Sequence, residues 1–96
     1  MNRSKTIERE IEWAAMMRAA RGGDRQAYET CLREIAQAMR PVIRRGLLRA
    51  GADAADTEDV VQNMLIAVHL KQHTWDASRP IGPWLFAIAR YKMIDV

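Results

Sequence analysis

Apolar residues recur along this chain at helical spacing, segment after segment, and that period leaves room for little but helices. Tyr28, Leu32, Ile35, Met39, Val42 and Ile43 follow one another at intervals that place them on one side of an α-helix. An earlier helix is expected from about Thr6 to Arg21, with Ile7, Ile11, Ala14, Ala15 and Met17 or Arg18 on its inner side. A third, from Thr57 to Gln72, turns Val61, Met64, Leu65, Val68 and Gln72 inward, and a fourth turns Trp84, Leu85, Ile88 and Ala89 inward. Punctuation falls between these stretches. Gly22-Gly23 ends the first helix and Asp24 caps the second. Pro41 lies inside the second helix and is expected to kink it or to start a new segment. Gly46 and Gly51 weaken and then close it. Asp56 is placed to cap the third helix. Thr74 to Gly82 has breakers and no period, so it is a loop, and Pro83 fits the first turn of the fourth helix. The fold expected is all-α, a compact bundle of about four helices.

Ninety-six residues suit one domain, and 49% hydrophobic content suits one core. A lone cysteine, Cys31, excludes an internal disulfide framework and is expected in the core or at its boundary. Met1 to Glu10 is charged and has no apolar signal-peptide region, and no run of ~18 apolar residues occurs. The chain reads as soluble and cytoplasmic. Its last residues, through Ile88, Tyr91, Met93 and Ile94 to Val96, keep a helical pattern with no stop signal. A fragment of a longer protein is expected.

The layout of charge says more than its sum of +3. From Ala50 to Leu70 there are four acids, Asp53, Asp56, Glu58 and Asp59, and no Lys or Arg. Acids near a helix start also answer the helix dipole. They do not account for the stripe that follows, Asp59, Gln62, Ile66, His69 and His73, at about 100° per residue. Setting one aliphatic residue among hydrogen-bonding groups suits an interaction face, although single exposed apolar residues are common. Arg40, Arg44, Arg45 and Arg49 lie close together with no acid among them. They form either a solvated face or a phosphate-facing one. His73, Thr74, Trp75, Asp76, Ser78 and Arg79, followed by Trp84, Phe86, Arg90, Tyr91 and Lys92, mix aromatics with cations and short polar groups. Single-stranded nucleic acid needs that mixture, since rings stack on bases and cations follow the backbone. Trp84 reads as core; Trp75 reads equally as core or as a stacking ring.

His69 and His73 share a face but lack a third ligand, so no metal is expected. No nucleophile-base pair or phosphate-cradling loop stands out, and nothing argues for catalysis or a cofactor. The competing reading is a small helical adaptor that binds only protein. Sequence-preferring binding of single-stranded DNA by the loop and fourth helix separates the two.

Four blocks occur in order: Ala19-Ala20-Arg21-Gly22-Gly23-Asp24-Arg25-Gln26-Ala27-Tyr28, then Asp56-Thr57-Glu58-Asp59-Val60-Val61-Gln62, then Trp75-Asp76-Ala77-Ser78-Arg79-Pro80, then Pro83-Trp84-Leu85-Phe86-Ala87-Ile88-Ala89-Arg90 with Ile94-Asp95. Together they resemble region two of the extracytoplasmic-function sigma factors of bacterial RNA polymerase, over roughly Trp13 to Val96. The resemblance implies a transcription-initiation domain spanning residues 1–96, with the second sigma domain absent. It implies that Asp56, Glu58, Asp59, Gln62, Asn63 and Ile66 meet the clamp helices of the beta-prime subunit of the polymerase core. It implies that His73, Thr74, Trp75, Asp76, Ser78 and Arg79 form a specificity loop between helices three and four. That loop would capture a base flipped from the non-template strand of the promoter minus-ten element. Arg90, Tyr91, Lys92 and Asp95 would read the upstream edge of that element, which the domain as a whole would help melt.

Three positions depart from the pattern. Asn63 stands where many relatives have an acid, Tyr91 where Asn is common, and Ala77 where proline is frequent. Without the second domain, the chain is expected to bind promoters poorly by itself. The resemblance further implies an anti-sigma protein as partner, often membrane-anchored in this class, which would hold the factor at the inner membrane.

Overall fold

Glycine turns the chain twice, each time at the end of a helix. The computed structural model describes residues 3–95, in which α1 (Arg3–Arg21), α2 (Arg25–Arg49), α3 (Thr57–Lys71) and α4 (Gly82–Ile94) account for most of the chain. After α1, Gly23 takes a φ of 104°, Gly23 N–H donates to Ala20 and Asp24 N–H reaches back to Ala19. Gly51 repeats this after α2 with a φ of 79°, and Ala52 N–H donates to the Leu47 carbonyl at 2.8 Å. Both are Schellman turns, which satisfy the last helical carbonyls and favour a residue without Cβ. Asp24 caps α2 by accepting from the Ala27 N–H at 3.0 Å, as the sequence predicts.

α2 is the central helix and packs against the other three. Its buried stripe is Cys31, Ile35, Met39, Ile43 and Leu47, while Tyr28, Leu32 and Val42 are half-buried against the same core. The Cys31 thiol is pushed up to about 12 by burial, with Glu34 adding to the shift, so it behaves as a small apolar filler. No new segment begins at Pro41; the helix runs on through it. Pro41 and Gln37, one turn earlier, both face solvent, so water can take the carbonyl that a proline leaves unbonded. Gly46 does more than weaken the helix. A Cβ there would lie 2.7 Å from the Met93 sulfur, so the glycine admits the end of α4.

The inner side of α1 agrees with expectation at Ala14 and Met17 and differs elsewhere. Trp13, Ala14 and Met17 are buried, whereas Ile7, Ile11, Ala15 and Arg18 are exposed. The helix is rotated by about one residue's turn, roughly 100°, which trades two isoleucines for the larger area of Trp13. In α3, Val60, Val61, Met64, Ala67 and Val68 are buried, while Leu65 and Gln72 are only half-buried. In α4, Leu85, Ile88 and Ala89 are buried as expected. Trp84 is half-buried rather than core, because its indole N–H finds a partner on the preceding loop. No helix among the described residues is long and apolar enough to cross a membrane. Val96, where the sequence pattern continues helical, lies outside the described residues.

Candidate functional site

The entry to α3 frees its acids from capping. Asp53 accepts from the Ala55 N–H at 2.9 Å and starts a short 3₁₀ turn, Ala54–Asp56. Thr57, 6% exposed, donates its hydroxyl to the Ala54 carbonyl at 2.6 Å. Asp56 makes no capping hydrogen bond, contrary to expectation, because its backbone is already helical, with φ −79° and ψ −4°, where a capping residue takes an extended one. Glu58 accepts two hydrogen bonds from Arg40, at 2.5 and 3.2 Å. One member of the arginine cluster therefore joins α2 to α3, in an exposed pair that adds little stability. Arg44, Arg45 and Arg49 remain solvent-facing.

Beyond Glu58, the outer face of α3 is open. Asp59, Gln62, Asn63, Ile66 and His69 are all exposed, Ile66 by 55%. Val61, Met64 and Val68 hold the opposite side in the core and so fix the direction of this face. The His69 ring stands against Tyr28, whose hydroxyl lies 2.6 Å from Nδ1. His73 does not join it as a ligand set; among the described residues no three His, Cys, Asp or Glu side chains are grouped to hold a metal.

The segment between α3 and α4 is an ordered loop with a buried anchor. Gln72–Thr74 forms a 3₁₀ turn, and Trp75 then drops into the core at 3% exposure. Trp75 is thus the loop's anchor and presents no ring face to a base. Asp76 accepts from both the hydroxyl and the N–H of Ser78, at 2.6 and 2.9 Å. The Ser78 hydroxyl, then its N–H, then the charges of Arg79 and Arg21 hold the Asp76 carboxyl below its ordinary range. Arg79 also approaches this carboxylate at 3.5 Å. His73, Thr74, Asp76, Ser78 and Arg79 are exposed.

Helix α1 braces this loop, and no local sequence signal foretells it. Arg21 donates to the carbonyls of Gln72 and Trp75, at 2.5 and 2.7 Å, and Arg18 donates to Ala77 at 3.3 Å. Both guanidinium groups lie over the Trp75 ring, 5.9 Å away for Arg18 and 5.2 Å for Arg21. At the far end of the loop, the Glu10 carboxylate accepts from the Gly82 N–H at 2.8 and 3.0 Å. The only advance sign of these contacts is that Ala19 to Tyr28 belongs to one of the recognisable blocks.

On α4, Arg90 and Tyr91 are exposed and Lys92 is half-buried, and Asp95, just past its end, is exposed. Lys71, Trp84, Tyr91, Lys92 and Asp95 border a groove of about 230 Å³ between α3 and α4. Lys71 was missed by the sequence reading, since it belongs to no aromatic-rich stretch and reaches the site only through helix packing. Two rings, two ammonium groups and a carboxylate around one groove can stack a base, neutralise a phosphate and accept from an amino group.

The family described as Sigma-70 region 2 matches residues 35–96. The chain is 38% identical over 86 residues to the ECF RNA polymerase sigma factor SigF of Caulobacter vibrioides, covering 90% of this chain and 46% of that protein. It is 33% identical over 85 residues to the ECF RNA polymerase sigma factor RpoE of Cereibacter sphaeroides, covering 88% and 45%. It is 44% identical over 55 residues to the ECF RNA polymerase sigma factor SigL of Mycobacterium tuberculosis, covering 56% and 31%. The chain thus spans less than half the length of these relatives. No solved structure matches it at a significant level.

Proposed function

The chain belongs to the Sigma-70 region 2 family, as region two of an extracytoplasmic-function sigma factor, and on that premise we propose that it docks on the polymerase core through α3 and reads the promoter minus-ten element through the following loop and α4. In this reading residues 1–96 act as one region-two domain. Asp59, Gln62, Asn63 and Ile66 meet the beta-prime clamp helices. Asp56 and Glu58 lie at the edge of the contact, Glu58 with its charge already shared by Arg40. An aliphatic side chain among polar ones supplies the buried centre, and the acids steer the approach of a basic partner.

The loop is the base-selecting element. His73, Thr74, Asp76, Ser78 and Arg79 offer their side chains to a base taken out of the non-template strand. Arg90, Tyr91, Lys92 and Asp95 meet the adjoining nucleotides. Trp75 serves by anchoring the loop. An anti-sigma protein that covers the α3 face competes with the polymerase for it.

The observation that carries this reading is the separation of chemistry between elements. Exposed Asp59 and Ile66 lie on the outer face of α3, whereas exposed Arg79, Phe86, Arg90 and Tyr91 lie on the loop and α4, joined by Lys71 from the last turn of α3. A protein partner and a nucleic acid can then be held at once. The test is calorimetry with beta-prime clamp helices. Asp59→Ala combined with Gln62→Ala is expected to cost about 2 kcal/mol of binding, the range of a central interface pair, with the helical signal unchanged. Binding equal to the unaltered protein removes the α3 assignment.

A further inference from the structure

We propose that Arg21, seconded by Arg18, is a positioning residue for base selection, holding the loop between α3 and α4 in one shape from α1 without touching the nucleic acid. This rests on the reading of that loop as the base-selecting element. Every hydrogen bond that α1 makes to the loop through Glu10, Arg18 and Arg21 goes to main-chain groups: the carbonyls of Gln72, Trp75 and Ala77, and the N–H of Gly82. Main-chain contacts are indifferent to side-chain identity. The frame therefore stays while the exposed side chains of His73, Thr74, Asp76, Ser78 and Arg79 are left for recognition.

Arg21 suits the task chemically. It ends α1 and bonds the Gln72 carbonyl just beyond α3, so its charge meets the negative ends of two helices. One guanidinium nitrogen, Nη2, donates to both carbonyls, and the planar group fixes the directions of its two N–H bonds, which a freely rotating ammonium does not. Its distance of 5.2 Å from the Trp75 ring adds a cation–π contact over the buried anchor. Selecting a base requires a pocket held to within about 0.5 Å, and the bonds from Arg21 and Arg18 fix the loop's main chain on both sides of its Trp75 anchor.

The test uses the full-length protein assembled with polymerase core, as Arg21→Ala and Arg21→Lys variants. In Arg21→Ala, amide hydrogen exchange at Trp75, Ser78 and Arg79 is expected to speed up about tenfold or more, the scale of losing a hydrogen bond from a charged donor. Exchange inside α2 and α3 stays as it was, which shows that the fold is intact. Unchanged exchange in the loop overturns the proposal. Competition among single-stranded minus-ten oligonucleotides differing at the flipped base is expected to show a spread between best and worst base reduced about tenfold, the same scale. A preserved spread on a loosened loop overturns the link to base selection.

The salt dependence of binding is expected to stay put. A fall in its slope by about 0.7, the single-strand value for one lost phosphate contact, makes Arg21 a direct DNA ligand and overturns the proposal. Arg21→Lys is expected to fall between, and wild-type behaviour from it shows that any cationic donor suffices, overturning the part assigned to the planar guanidinium. If the unaltered protein shows no base preference, the reading of the loop itself falls. The exchange rates still decide separately whether Arg21 holds the loop.

Discussion

The indole N–H of Trp84 donates to the Thr74 hydroxyl at 3.0 Å, and that hydroxyl donates onward to the Lys71 carbonyl at 2.7 Å. One hydroxyl thus joins the end of α3, the loop and the first turn of α4. Thr74→Val keeps the shape and removes both bonds. Because the site is half open to water, the coupling between Thr74→Val and Trp84→Phe in a double-mutant cycle is expected to be about 0.5–1.5 kcal/mol. Denaturant unfolding measures it, and simple additivity of the two costs breaks the proposed link.

Helix α3 gives a sharper test of facing. Met64 is fully buried, whereas Leu65, which the apolar stripe marks equally, is half-buried. Met64→Ala is expected to cost about 2–5 kcal/mol and Leu65→Ala about 1–2 kcal/mol, in proportion to the area each hides. Midpoints of chemical denaturation compare them directly. The reverse order means that the helix is rotated.

That pair also shows where the sequence was readable. Helix existence, order and ends were legible because they depend on local signals, namely apolar period, Gly23, Asp24, Gly51 and Pro83. The open face of α3 at Asp59, Gln62 and Ile66 was legible for the same reason. Which side of α1 turns inward was not, because Ile7 with Ile11 and Trp13 with Met17 make rival stripes on one helix. Packing against α2 decides between them, and a period does not record it. Trp75 was ambiguous because a ring that stacks on bases and a ring that plugs a core have one composition. Arg21 and Glu10 were illegible as loop braces, since their partners lie 51 to 72 residues away in sequence.

The brace at Glu10 predicts non-additivity. Its two carboxylate oxygens share the Gly82 N–H and so cap α4 from another helix, where Pro83 offers no N–H of its own. Glu10→Ala is expected to cost about 0.5–2 kcal/mol, the range for losing a helix cap. A Cβ at residue 82 would collide with the Glu10 carboxylate, so Gly82→Ala displaces the same cap. The double variant is then expected to cost little more than the larger single change. Thermal and urea unfolding of all three decide, with full additivity counting against the shared cap.

Acid loosens the loop, and the sign follows from Asp76. Its folded pKa lies below the ordinary aspartate value of 3.8, first because the Ser78 hydroxyl bonds the ionised form and next because the Ser78 N–H does. A depressed folded value means that the ordering is fully present above the unfolded pKa and is lost as pH falls through the folded one. The Ser78 amide resonance, followed by NMR through an acid titration, is therefore expected to move with a midpoint below 3.8. Ser78→Ala deletes the largest cause but keeps the main-chain N–H at 2.9 Å. The midpoint then rises only part of the way to the ordinary value. Arg79→Ala moves it less, because that charge acts across 3.5 Å in the open, where water screens it. If Ser78→Ala leaves the midpoint in place, the turn from Asp76 to Ser78 is not what sets the loop's charge.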